Sequence, residues 1–162
     1  MLFITPTLRL FAGVIIFWGF IDASIRMWGV QDLKKLIAFA TVQEMNLILF
    51  FLLFGSNHLL ATLNLFIIVH GVLSGLLFFL VDQMQKRAQT RDLTNLSGFA
   101  SKLTILPFFI WVALLIFRGF PLFIKFFIEW ELTILIFESF SMFGVILFLF
   151  GSLVGILGFA RA

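Results

Sequence analysis

Four ionisable side chains stand inside stretches that are otherwise almost wholly apolar: Glu44, His70, Lys125 and Glu129. Glu44 lies eleven residues past Leu33 and His70 eleven past Leu59, so each falls near the middle of a run long enough to cross a bilayer. An ionisable group at that depth costs at least ~2.5–3.5 kcal/mol on insertion scales, and such groups face a bundle interior or a water path. Two uses of Glu44 and His70 fit the spacing. One is a structural hydrogen bond between helices. The other, the expectation carried forward, is a proton relay, because an imidazole accepts and releases protons near neutrality and a desolvated carboxyl can do the same. Lys125 and Glu129 are four residues apart, so on a helix they reach each other and either exchange a proton or form a static pair that neutralises two buried charges.

The remaining polar residues read as support. Arg118 precedes Gly119-Phe120-Pro121 and is expected to cap carbonyls freed by a helix break. Glu131 points away from the Lys125/Glu129 face, and Glu138 belongs at the outer mouth. Asp22 and Arg26 form an interfacial i,i+4 pair, and His58 is solvated in a short outer loop. Gly71/Gly75 and Gly151/Gly155 have the G-x-x-x-G spacing that lets another helix approach closely, and packing is their expected role.

The elements that must position these residues are membrane helices. Of 162 residues, 62% are hydrophobic and 12% charged, with mean hydropathy +1.19, a balance that leaves too little polar surface to cover a water-soluble domain. Polar interruptions divide the chain into five expected spans, 10–28, 33–54, 59–81, 103–117 plus 122–137, and 140–160, with 82–102 as the one long polar loop. Five crossings put eight of the eleven basic residues on one side: Arg26, Lys34, Lys35, Lys86, Arg87, Arg91, Lys102 and Arg161. The positive-inside rule makes that side cytoplasm or matrix, with the N-terminus outside and the C-terminus inside. A continuous helix from Lys102 would carry Glu129 roughly 40 Å along, past the hydrocarbon edge, so the fourth span must break, and Gly119 and Pro121 mark where. Unwound backbone survives in lipid only against protein or a water-filled cavity, which makes the break a functional pointer.

Composition also excludes chemistry. With no cysteine, the chain holds no disulfide and no cysteine-bound cluster or zinc, so no cofactor or metal is expected on it. The net charge of +3 does not point to nucleic acid, because the basic residues sit at helix ends and not in an aromatic-interleaved patch. The first nine residues lack the features of a removable leader, and so apolar a product is expected to be made in the organelle or bacterium that uses it.

Three ordered segments, Asp32-Leu33-Lys34-Lys35-Leu36-Ile37-Ala38-Phe39, His70-Gly71-Val72-Leu73-Ser74-Gly75-Leu76-Leu77-Phe78, and Arg87 through Thr90-Arg91-Asp92-Leu93 to Gly98, resemble the antiporter-like (Mrp-type) membrane subunits of respiratory complex I, NADH:ubiquinone oxidoreductase. Lys102, Leu106-Pro107, Gly119-Phe120-Pro121 and Glu129 continue the pattern, so the resemblance covers nearly the whole chain. It implies an all-α integral membrane fold whose five consecutive helices, the fourth discontinuous, form the C-terminal half-channel of such a subunit. Where other branches of the family carry Lys in the broken helix, the subunit-4 branch carries Glu, and Glu129 is similar to that branch. His70 matches the family's buried axis histidine. The family's Ser-His-Met is here Gln43-Glu44-Met45, one protonatable group for another, and the Gly-rich stretch after its Pro is here Leu122-Phe123-Ile124-Lys125.

What the resemblance implies is a proton translocase subunit of the mitochondrial inner membrane, or of a bacterial plasma membrane. Protons would pass between Glu129, His70, Glu44 and Lys125. NADH, FMN, iron–sulfur clusters and ubiquinone would be handled elsewhere in the complex. Because a full subunit has about fourteen spans, a separate chain would supply the N-terminal half, alongside the other membrane-arm subunits and the lipid bilayer. The alternatives are a structural membrane-arm fragment without pumping and a subunit of a multisubunit sodium/proton antiporter, the latter to be excluded by co-purification with flavin and iron–sulfur subunits.

Overall fold

The computed structural model describes residues 5–90, 92, 95 and 105–160, except the side chains of 139–141, 143 and 160. Arg91, Lys102, Arg161 and most of the polar loop lie outside the described residues. Those described form five helices: α1 (Pro6–Gly29), α2 (Leu33–Phe54), α3 (Leu59–Ala88), α4 (Ile105–Phe117) and α5 (Ile124–Ala160). The first three are each long and apolar enough to cross a membrane, whereas α4 and the Gly144–Phe159 part of α5 are shorter apolar helices.

Local chemistry sets the ends. Pro6 opens α1, where its missing N–H is no loss. Asp32 caps α2 by accepting the Lys35 N–H at 3.1 Å. The α3 helix ends at Gln89, whose left-handed φ of 55° closes an N–H bond to Gln85 O at 2.8 Å. At 30 residues α3 is about 45 Å long, so it projects beyond the ~30 Å hydrocarbon core and extends past the expected end at residue 81. Its projecting end is tied to α2 by Asp82, which accepts from Lys34 at 2.7 Å and pairs with Lys86 at 2.9 Å.

The break after α4 is a Schellman turn. Gly119 takes a φ of +65°, its N–H bonds Ile116 O at 3.1 Å, and the Phe120 N–H bonds Leu115 O at 3.0 Å. Pro121 then prevents the helix from resuming, and helical structure restarts at Ile124.

By backbone hydrogen bonding α5 is a run of 37 residues. Straight, it would separate Lys125 from Gly155 by about 45 Å. Yet Lys125 bonds Glu44, and a Cβ on Gly155 would collide with Arg118, which bonds the same carboxylate. The run therefore reverses direction. The reversal falls between Ile136 and Phe148, which lie in one apolar cluster, and the returning stretch brings Gly158 against Met27 at the other end of the bundle.

The core has two apolar layers. One joins Met27, Leu36, Ile37, Leu77, Val81 and Phe117 near the Lys34/Asp82 end; the other joins Phe51, Leu59, Leu63, Phe66, Leu132 and Ile136 toward the opposite end. Large apolar side chains also cover the outside, with Trp18 70% and Leu10 63% exposed, a surface suited to lipid.

Candidate functional site

Between the two layers lies a polar centre. Along α2, Ala40 belongs to the first layer and Leu47 to the second, with Gln43 and Glu44 between them; along α3, Phe66 and Leu77 flank His70 in the same way. The break puts Arg118 and Lys125 at this level, since α4 ends in the first layer at Phe117 and α5 enters the second at Ile128.

Glu44 is the hub. Its Oε1 accepts from Arg118 Nη1 at 2.9 Å and from Lys125 Nζ at 3.1 Å. Its Oε2 accepts from Lys125 Nζ at 2.9 Å and lies 2.8 Å from His70 Nδ1, which donates when the carboxylate is ionised. Lys125 lies 3.4 Å from Glu129 Oε1 and also donates to Phe117 O, a carbonyl left free by the end of α4. It is fully buried, with the rings of Phe117 and Phe66 centred 4.5 and 5.1 Å from Nζ. His70, 4% exposed, packs against the same two rings.

Geometry thus brings all four sequence-derived residues together in the contact order Glu129, Lys125, Glu44, His70, so that Lys125 stands between the carboxylates and His70 meets Glu44. Gly119 contributes to this closeness: a Cβ there would strike the Glu129 carboxylate. A cavity of about 20 Å³, lined by Gln43, Glu44, Glu129 and Ser152 among others, has room for one or two waters. Gln43 donates to Gly151 O at 2.8 Å, while its buried Oε1 has no hydrogen-bond partner among the described residues.

One expectation needs correction. Arg118 does not cap carbonyls; it binds Glu44, and the carbonyl at the end of α4 is taken by Lys125 instead. An arginine guanidinium is permanently charged, so its position in an apolar run was itself a signal that a buried carboxylate had to meet it. Gly151 and Gly155 sit at close contacts, and a Cβ added to Gly71 or Gly75 would meet nothing within 4 Å among the described residues. Glu131 faces away as expected, accepting from Thr62 at 3.2 Å, and Asp22 and Arg26 form an exposed pair at 2.7 Å. No group of three or more potential metal ligands occurs among the described residues.

A broken membrane helix beside a buried charge cluster is an arrangement found in several classes of transport protein, and the comparisons with known proteins say which class this is. Residues 1–155 match the family described as NADH:quinone oxidoreductase/Mrp antiporter, TM, and the chain belongs to that family. It is 37% identical over 143 residues to NADH-ubiquinone oxidoreductase chain 4 of Paramecium tetraurelia, a match covering 88% of this chain and 30% of that protein. It is also 31% identical over 100 residues to NADH-quinone oxidoreductase subunit M of Escherichia coli K12, covering 60% and 20%. The equivalent subunit of Pseudomonas aeruginosa is 29% identical over 101 residues, covering 62% and 19%. The matched part of the chain therefore spans less than a third of the length of these curated relatives.

Proposed function

We propose that this chain is a proton-translocating membrane-arm subunit of NADH:ubiquinone oxidoreductase, supplying the C-terminal half-channel of a split subunit 4. The observation that carries the reading is the Glu129, Lys125, Glu44, His70 chain of contacts, held between two apolar layers at a helix break. Burying so many ionisable groups is costly, and adjacent groups able to exchange protons give that cost a use. The chain itself performs no redox step; NADH, FMN, iron–sulfur clusters and ubiquinone belong to other parts of the complex, whose chemistry biases the transfer. Its partners are the other membrane-arm subunits, among them a separate chain carrying the N-terminal half of the same subunit. The setting is the mitochondrial inner membrane, with the N-terminus in the intermembrane space and the C-terminus in the matrix.

Glu129→Gln, which keeps the shape and removes the exchangeable proton, abolishes or strongly reduces NADH-driven proton translocation in assembled complex. Translocation at the wild-type ratio of protons to electrons would remove Glu129 from the mechanism. That result would favour the second reading, a structural membrane-arm fragment, for which the specific support is that Arg118 and Lys125 already neutralise Glu44 and Glu129. A sodium/proton antiporter subunit is the reading to adopt if the purified assembly lacks flavin and iron–sulfur subunits.

A further inference from the structure

The relay leaves one buried charge without a task. Arg118 has a side chain only 9% exposed, and its guanidinium cannot release a proton under physiological conditions, so it is no station for one. Its seat is specific nonetheless. Gly155, on the returning part of α5, provides the space, since a Cβ there would overlap the guanidinium. The Phe159 ring lies 4.7 Å and the Phe117 ring 5.6 Å from its central carbon. Nη1 holds Glu44 Oε1 at 2.9 Å, while Nε and Nη2 have no hydrogen-bond partner among the described residues. Its one side-chain hydrogen bond among the described residues goes to the hub carboxylate.

The charges facing Glu44 are Arg118 and Lys125 around the break, His70 from α3 and Glu129 one turn along α5 from Lys125; α1, α4 and the returning part of α5 contribute none among the described residues. We propose that Arg118 is a positioning residue of the relay, supplying the permanent positive charge that balances Glu44 while Lys125 passes its proton to Glu129. In that step an N–H bond of the Lys125 ammonium breaks, its electron pair stays on nitrogen, and an O–H bond forms on Glu129. Beforehand the cluster holds two carboxylates and two cations. Afterwards Lys125 and Glu129 are both neutral, and Glu44 with Arg118 remains a closed pair. Without Arg118 the same transfer leaves Glu44 a buried anion with no permanent cation facing it, which opposes the transfer. Sharing also orients the hub: with Oε1 held by Arg118, Oε2 stays turned to His70 throughout.

This inference rests on the proton-relay reading, and its test separates the two. Intact complex carrying Arg118→Met, Arg118→Lys, Gly155→Ala or Glu129→Gln is reconstituted in vesicles, and NADH-driven proton translocation is followed across the active pH range. Arg118→Met leaves an extra negative charge that binds protons more tightly, so the profile moves to higher pH by roughly one unit or more. Arg118→Lys recovers part of that displacement because it keeps the charge. Gly155→Ala retains every charged group but pushes the guanidinium off its seat, giving a smaller displacement in the same direction, and it decides the matter if Arg118→Met does not assemble. Unaltered profiles in Arg118→Met and Gly155→Ala beside a loss in Glu129→Gln would overturn the role of Arg118 alone. Unaltered translocation in Glu129→Gln as well would overturn the relay with it.

Discussion

Glu44 carries more than its share of the centre, because one carboxylate answers to Arg118, Lys125 and His70 at once. Truncating one partner of a buried ion pair is far worse than never having had it, since the other charges stay behind without compensation. Glu44→Leu, leaving Arg118 without a carboxylate and Lys125 with Glu129 alone, is expected to destabilise by about 3–5 kcal/mol. Thermal unfolding of the assembled complex in detergent would register this as a clear loss, and an unchanged midpoint would show the cluster to be hydrated and loosely held. Much of this residue-level picture was legible beforehand. Glu44, His70, Lys125 and Glu129 stand out because charge inside an apolar run demands a reason. Their mutual order did not follow, since helical spacing relates Lys125 to Glu129 but says nothing about which residue of α2 or α3 they meet. The partner of Arg118 is hidden from the sequence for the same reason, because it lies 74 residues away.

At the scale of elements, the break between α4 and α5 does two jobs. It lets α4 join one apolar layer and α5 the other, and it leaves the Phe117 carbonyl free for Lys125. Gly119 is where the backbone conformation and the site meet, because its left-handed φ closes the Schellman turn and its missing side chain admits the Glu129 carboxylate. Gly119→Ala suffers on both counts, with a backbone cost of about 1–2 kcal/mol before any clash is included. Gly119→Asn tolerates the left-handed backbone better but keeps the clash, so it should recover stability relative to Ala without recovering proton translocation. Equal recovery of both would mean that only the backbone matters at this position. Gly and Pro announced this break in the sequence. The reversal within α5 was marked less plainly, by polar Glu138 and Ser139.

For the whole molecule, orientation is the property most open to direct test. The basic residues at Arg26 to Lys35 and Lys86 to Arg87 gather at the end where Asp82 ties α2 to α3. In the proposed orientation, which follows the positive-inside rule, that end faces the matrix. The chain has no cysteine, so an introduced thiol is the one site on this chain that a maleimide can label. Gln89→Cys should react with a membrane-impermeant maleimide from the matrix side only, and Asn57→Cys, in the exposed turn between α2 and α3, from the opposite side only. Labelling of both from one face would contradict an odd number of crossings between them. The exposed apolar surface of α1 and α3 fits lipid or neighbouring subunits equally, and a relative of which only 30% is matched leaves room for the latter.

Composition and hydropathy by themselves determined that this is a helical membrane protein, that its chain breaks at Gly119 to Pro121, and which side chains carry charge inside apolar runs. Those are local properties, set by transfer free energy and backbone stereochemistry, and they are written residue by residue. Only the tertiary structure decided that Glu44 is the hub, that Lys125 separates the two carboxylates, and that Arg118 is seated in the hollow beside Gly155. Such contacts join residues far apart in the chain, and their distances are set by how two apolar layers and a reversed helix pack, which no spacing along the sequence encodes.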